Sequence, residues 1–501
     1  MHRFHSFFKP FVIFLFILNF FFATLIVLYR TLPPNTGSHS QQDRDQNWIA
    51  TSQSWLDRTT CRWTSICGGT HWLGQTWLFR TVSTKTWPED AWKSYVTEDD
   101  WIDPNAPDPD TWSKEEIYRR DIPSCIIDHA PLIYFHPDEP YMLSDPAEHL
   151  KHSTPYLNGQ RIFNLSLTLS NLSALNAYQT GREVCLTSND NIDDSPPWLL
   201  SNWSTPLPYT PNQSPIPTSP GIAHYFANSP NDTAVQEGWY SVDSTTFSSI
   251  PPIYFRPTNW SSFLSHKPTS NSGSTPGSSS APLVLITVPK TNNVVDAFYF
   301  LFNSYNQGNK VLGMRFGNHI GDWEHVTIRF QNCVPKALFT SRHSFGDSAY
   351  GWDALEKIRE RPVVYAARGS HAFYVTEGKQ SYKLPFGLLS DTTGRGSLWD
   401  PVLPLAKAGI TGAVKGFTYD AVSDEIRAST ISPRAATSWF DFKGQWGDQR
   451  YALGDARQYR FVGEHHYSTG PNGPRWKRLG RRVICERDER KGSCGIRNII
   501  P

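Results

Sequence analysis

The chain has 501 residues and a formal net charge of +1, with 19% of its residues charged, 39% hydrophobic and 14% aromatic. So even a charge excludes a polyanion such as nucleic acid as the main partner, and 19 Trp, 21 Tyr and 29 Phe exclude a mostly disordered chain. The length calls for one large folded unit with insertions, or for two units.

From Phe11 to Tyr29 the sequence runs nineteen residues without a charge, fifteen of them Phe, Leu, Ile or Val. That is long enough to span the hydrocarbon of a bilayer. The run exceeds a signal-peptide core, and YRTLPPN beyond it lacks a small-x-small cleavage pattern, so the stretch predicts an uncleaved signal anchor. Residues 1–10 then form a cytoplasmic tail, and the body lies in the lumen of the secretory or vacuolar system, or outside the cell. Asn-x-Ser/Thr acceptors at Asn164, Asn171, Asn202, Asn212, Asn231 and Asn259 fit a luminal, sugar-bearing face, with Pro215 spoiling the one at Asn212.

Residues 30–115 are polar and dotted with Trp, Asp and Pro, and read as a stalk and loosely structured collar. The body, 116–485, opens with CIIDHAPLIYFHPDEPYML, an apolar run ending in a turn. Pro/Ser/Asn-rich tracts at 195–221 and 265–282 read as surface insertions, and 486–501 as a C-terminal tail. Short runs rich in Val, Ile, Tyr and Phe (PLVLITV, AFYFLF, EHVTIRF, KALFTS, RPVVYAAR) predict a mainly β fold, an antiparallel β-sandwich. DALEKIRE at 353–360 predicts one short helix. The seven cysteines form no CxxC pair, and an oxidising lumen calls for two or three disulfides, with Cys61–Cys67 and Cys485–Cys494 as the local loops.

The densest chemistry is Asn318-His319-Ile320-Gly321-Asp322-Trp323-Glu324-His325, leading into VTIRF. On a strand, Asp322 and Glu324 point with Val326, Ile328 and Phe330, while Trp323 and His325 point with Thr327 and Arg329. Carboxylates on an inward row must be neutralised, hydrogen-bonded or metal-bound. With Gly321 bending the backbone, His319, Asp322 and Glu324 form an oxygen-rich site suited to Ca²⁺, Mg²⁺ or Mn²⁺. The alternative is an edge strand whose acids face solvent or pair with Arg315 or Arg329. Arg368 and His371 in RGSHAFY either line a cavity beside this cluster or belong to a turn. The basic stretch RWKRLGRRVICERDERK reads as a solvated face.

APLIYFHPDEPY, NSYNQG, GNHIGDWEHVTIRF, RPVVYAARGSHAFY and KGQWGD together resemble the vacuolar protein sorting-associated protein 62 family of fungi and plants over roughly 120–480. That resemblance implies a membrane-anchored protein connected with protein sorting to the vacuole. A more distant one is to secreted necrosis-inducing cytolysins, whose GHRHDWEH motif holds a divalent cation on a β-sandwich. It implies His319, Asp322 and Glu324 as ligands, Asn306 in place of a fourth, acidic one, and a pocket including His325 and, in SRHSFGDSAY, His343. The expected function is a luminal binding protein for a glycan, lipid head group or cargo protein with a cation-supported pocket. A metal-dependent hydrolase, with Asp322 or Glu324 as base and His325 or His371 as acid, and a cytolysin-like membrane binder are the alternatives.

Overall fold

The computed structural model describes residues 39–52, 55–75, 85–162, 166–208, 238–246, 277–311, 313–342, 348–383, 389–403, 414–461, 463–486 and 494–500. The apolar stretch 11–29, the acceptors Asn164, Asn212, Asn231 and Asn259, and His343 lie outside them. Two units divide the chain. The smaller draws on 1–85, 308–319 and 448–469, and the larger on 86–307, 320–447 and 470–501.

The two main sheets of the larger unit are built from β1 (Leu132–Tyr134), β2 (Leu283–Lys290), β3 (Val294–Asn306), β4 (His319–Gln331, entering from the smaller unit), β5 (Val334–Thr340), β6 (Ser348–Gly351), β7 (Lys357–Ile358), β8 (Arg361–Ala366), β9 (Phe373–Tyr374), β10 (Leu398–Trp399), β11 (Val414–Asp420), β12 (Glu425–Ala428) and β13 (Gly495–Arg497), labelled among themselves in chain order. Eight of them form one sheet in the order β12-β11-β2-β3-β4-β5-β6-β13, and a second sheet runs β7-β8-β1-β10 with β9 beside β8. Every residue of β2 and β3 is buried. Covered on both faces, these strands read as continuous apolar runs and not as an alternation.

Leu285, Tyr299, Leu301, Val326 and Ile328 of the large sheet meet Ile133, Val364, Ala366 and Trp399 of the second in one buried cluster, so the two sheets form a sandwich. The opposite face of the large sheet carries Phe298, Phe300, Phe302 and Trp323, closed by Trp101, Leu186, Trp439 and Trp446. The expected antiparallel arrangement needs one correction, because the sheets are mixed. β11 runs parallel to β2, β13 to β6, and β8 to β1. Such pairs join strands far apart in sequence, and spacing between neighbouring runs does not reveal them.

Two local expectations also change. Residues 353–360 form no α-helix. Trp352–Ala354 is a 3₁₀ turn followed by β7, and Leu355 is drawn into the core while the Glu356 carboxylate accepts from Tyr365 Oη at 2.7 Å. These tertiary anchors override helix propensity. The tract beginning at 195 is not all surface insertion either, since the helix Pro197–Leu200 buries Trp198 and Leu199.

In the smaller unit, helices α1 (His39–Thr51) and α2 (Trp55–Thr64) lie in the stretch expected to be a loose collar. Trp48 and Ile49 of α1 pack on Cys61, Cys67 and Leu453. The disulfides are Cys61–Cys67, Cys485–Cys494 and Cys125–Cys333, with Cys185 a buried thiol. Two of these are the expected local loops. Among the described residues no helix is long and apolar enough to cross a membrane.

Candidate functional site

Two glycines fix where β4 begins. Gly321 has φ +68°, and a Cβ there would lie 2.1 Å from the Trp446 carbonyl oxygen; one on Gly447 would lie 1.9 Å from that of Ile320. The two backbones touch with no room for side chains, which pins GDWEH against KGQWGD. From this anchor the strand alternates as its sequence demands. Asp322 and Glu324 share the phase of Val326 and Ile328, which face the inter-sheet core, and Trp323 faces the aromatic cluster on the other side.

Asp322, Glu324 and His371 are only 5%, 8% and 2% exposed. His371 reaches the acids from a tight turn after β8, in left-handed backbone conformation at φ +55°. Its amide donates to the Ala367 carbonyl at 2.9 Å, and the turn is tied to the end of β3 by Gln307 N donating to Gly369 O at 2.7 Å. Nδ1 of His371 lies 3.4 Å from Asp322 Oδ2. On the far side of the ring, Nε2 lies 3.1 Å from the Tyr141 carbonyl and 3.6 Å from Glu139 Oε1. Glu139 is itself buried, and is held by the amides of Gly369 at 2.6 Å and Tyr141 at 2.9 Å.

Each ring nitrogen thus faces an acceptor, a geometry that calls for a proton on both. Burial by itself lowers the pKa of His371, but the Glu139 charge and the Asp322 hydrogen bond outweigh it and hold the imidazole up at about 10. The site is a buried imidazolium clamped between two carboxyl groups. Glu324 bonds elsewhere, its Oε2 accepting from the Ser341 hydroxyl, which in turn accepts from the His325 amide at 2.8 Å. Lys477, from the basic stretch, feels the same acids. Burial lowers its pKa, whereas Glu324, Glu486 and Asp322 raise it to a net increase.

Of the residues expected at the site, the structure brings Asp322 and His371 into contact and places Glu324 on the same strand face. His325 turns to the opposite face, wholly buried against Phe300 and Phe339, and burial holds its pKa well below the ordinary value. No partner reaches either of its ring nitrogens among the described residues. Arg368 is exposed and donates to the Asp138 carbonyl at 2.9 Å, flanking the turn that carries Glu139. Asn306 is buried in phase with Phe302 and Ser304, on the side of β3 that faces the aromatic cluster. His319 belongs to the smaller unit. The edge-strand alternative fails for Arg329, which is bidentate to buried Asp296 at 2.7 Å.

Glu139 was missed. Its signal was an acid enclosed by two prolines in YFHPDEP, directly after a fully buried strand, and sequence reading took that segment only for a turn. The solvated-face expectation for the basic stretch also needs correcting. Arg481 is buried, bonds Thr327 Oγ1 at 3.0 Å and stacks over Phe298 and Phe339.

Among the described residues no group of three or more His, Cys, Asp or Glu is arranged to hold a metal ion. The donor chemistry accords with this, because the positive charge that a cation would bring is supplied between Asp322 and Glu139 by His371. The imidazole ring keeps those two carboxyl groups from sharing one ion. Of the expected ligands, Asn306 lies in phase with the sheet face opposite to that of Asp322 and Glu324.

Fold and site define a two-sheet β domain whose signature segments meet at a buried imidazolium. Residues 307–448 match the family model of vacuolar protein sorting-associated protein 62, the likeness that its motifs carry. Two Saccharomyces cerevisiae proteins are similar over longer stretches. TDA6, which bears a provisional vacuolar protein sorting-associated name, is 29% identical over 423 residues, 76% of this chain and 73% of that protein. Vacuolar protein sorting-associated protein 62 is 36% identical over 224 residues, 41% of this chain and 46% of that protein. The solved structure of the non-toxic HaNLP3 protein matches 22% of this chain and 56% of its own at 18% identity, with a TM-score of 0.16.

Proposed function

We propose that this chain is a membrane-tethered protein of the secretory and vacuolar system that serves protein sorting to the vacuole by binding and not by turnover. The 11–29 stretch is its anchor, and the β domain stands in the lumen. The family likeness supports the sorting role, and three disulfides accord with an oxidising lumen.

The observation that carries binding over hydrolysis is His371 engaged on both nitrogens with its pKa raised to about 10. A general acid or base works best with a pKa near the operating pH and a proton aimed at substrate. His371 has neither property. In this reading it is a built-in counter-cation that joins the HPDE turn, the GDWEH strand and the RGSHAFY turn into a rigid floor, above which a cargo protein, glycan or lipid head group is recognised.

The test is complementation of a cell lacking the protein with full-length Asp322→Asn, reading secretion of a vacuolar hydrolase into the medium together with the abundance of the chain. Mis-sorting at normal abundance supports the reading, and normal sorting overturns the role of the site. A hydrolytic activity of the purified chain that Asp322→Asn abolishes would replace binding by catalysis. Calorimetric titration with Ca²⁺ or Mg²⁺ decides between imidazolium and metal, and tight binding lost in Asp322→Ala would restore the metal.

A further inference from the structure

Helix α2 presents an apolar face that stands exposed among the described residues. Asp57, Cys61 and Thr64, spaced four and three residues apart, are its buried positions. Two bonds fix them inward, the Cys61–Cys67 disulfide and the hydrogen bond from Thr70 Oγ1 to Asp57 Oδ2 at 2.6 Å. With that face locked, helical geometry turns Trp55, Thr59 and Trp63 outward with Leu56 at their flank. Trp55 is 67% exposed, Leu56 56% and Trp63 75%, and Arg62 is exposed beside them. Two tryptophans and a leucine standing in solvent on one short helix are not scattered surface residues, and a disulfide that holds them out makes their exposure a fixed property of the fold.

We propose that this face rests in the headgroup layer of the phospholipid bilayer that holds the anchor. The proposal builds on the reading of 11–29 as a span. The described chain begins at His39, ten residues beyond Tyr29. Fully extended, ten residues reach about 35 Å, so the start of α1 is leashed close to the bilayer surface, and α1 packs on the same small core as α2. A leash of that length keeps the face at high effective concentration over the lipid. The composition selects lipid as the occupant. Tryptophan favours the membrane interface, where its ring is half-immersed and its N–H stays wet, and Arg62 suits lipid phosphate.

The experiment uses the full-length chain in vesicles of phosphatidylcholine and phosphatidylserine containing a photo-crosslinking phosphatidylcholine, with lipid adducts mapped by mass spectrometry. Adducts are expected on the peptide carrying Trp55 to Trp63, falling roughly tenfold in the double variant Trp55→Ser/Trp63→Ser. Because both positions are exposed, the variant keeps its fold, verified by an intact Cys61–Cys67 linkage in the non-reduced peptide map. Alkaline extraction reads the span separately. A chain that resists extraction yet gives no adducts at 55–63 overturns the inference and leaves the anchor. A chain that alkali releases overturns the anchor, and the inference with it. A protein found bound at this face in place of lipid overturns the inference alone.

Discussion

His371 holds two buried carboxyl groups apart, and replacing it with Gln leaves Asp322 and Glu139 facing a neutral amide. Breaking a buried pair by removing one partner costs about 3–5 kcal/mol, so His371→Gln is expected to lower the urea midpoint by that equivalent. The pH dependence follows from its direction. With a folded pKa of about 10 and an ordinary value of 6.5, the stabilisation from His371 is fully present below 6.5 and is lost as pH rises through 10. His149 behaves oppositely. Burial lowers its pKa to about 3 against the bond to the Trp446 carbonyl, so its share is present above 6.5 and lost as pH falls towards 3. Unfolding midpoints measured between about pH 4 and pH 10 should therefore decline at both ends, and His371→Gln should flatten the alkaline limb only. Asp322 was legible in the sequence because an acid two residues from another on an inward row demands explanation. Its partner was not, because Glu139 lies 183 residues earlier and only the folded chain places it opposite.

β4 owes its start to backbone contact between Gly321 and Trp446, and a methyl group has no space there. Gly321→Ala combines that collision with an unfavourable φ of +68° and is expected to cost about 2–4 kcal/mol, read as a drop in melting temperature. The Cys125–Cys333 bond ties the helix Ser124–Asp128 to the β4–β5 turn across 208 residues of chain. Replacing both cysteines with serine is expected to cost about 2–5 kcal/mol by the same measurement. At this scale the β-rich runs at 282–288, 297–302, 324–330, 336–341 and 361–368 were legible, since consecutive Val, Ile, Tyr and Phe between turn residues have few other uses. The parallel pairings were hidden because nothing local in β11 names β2 as its neighbour. The helix expected at 353–360 failed for a related reason: anchors on Leu355 and Glu356 come from elsewhere in the fold.

At the scale of the whole molecule the luminal assignment meets a direct check. Two of the acceptor asparagines lie among the described residues. Asn202 is exposed, whereas the side-chain amide of half-buried Asn171 donates to the Ser166 carbonyl at 2.8 Å. Asn202 is therefore the better glycan acceptor of the two. Glycosidase treatment of the full chain should increase its gel mobility, and Asn202→Gln should remove part of that shift. An unaltered mobility would take away the main support for a luminal body. The sequence showed the chemistry of this region but not the fold beneath it, because an acceptor motif is local and burial is not.

The order of the large sheet also constrains the history of each molecule. β2 is emitted at residue 283, but one of its two flanking strands arrives only at residue 414, and one of the two edge strands of the sheet, β13, only at residue 495. A nascent polypeptide made from its N-terminus cannot complete this sheet before residue 495 has been added. Asn202 is consequently made while the chain is still open, long before β11 and β13 are in place. A ribosome stalled before β11 should leave behind a protease-sensitive intermediate whose central strand is still waiting for its partner.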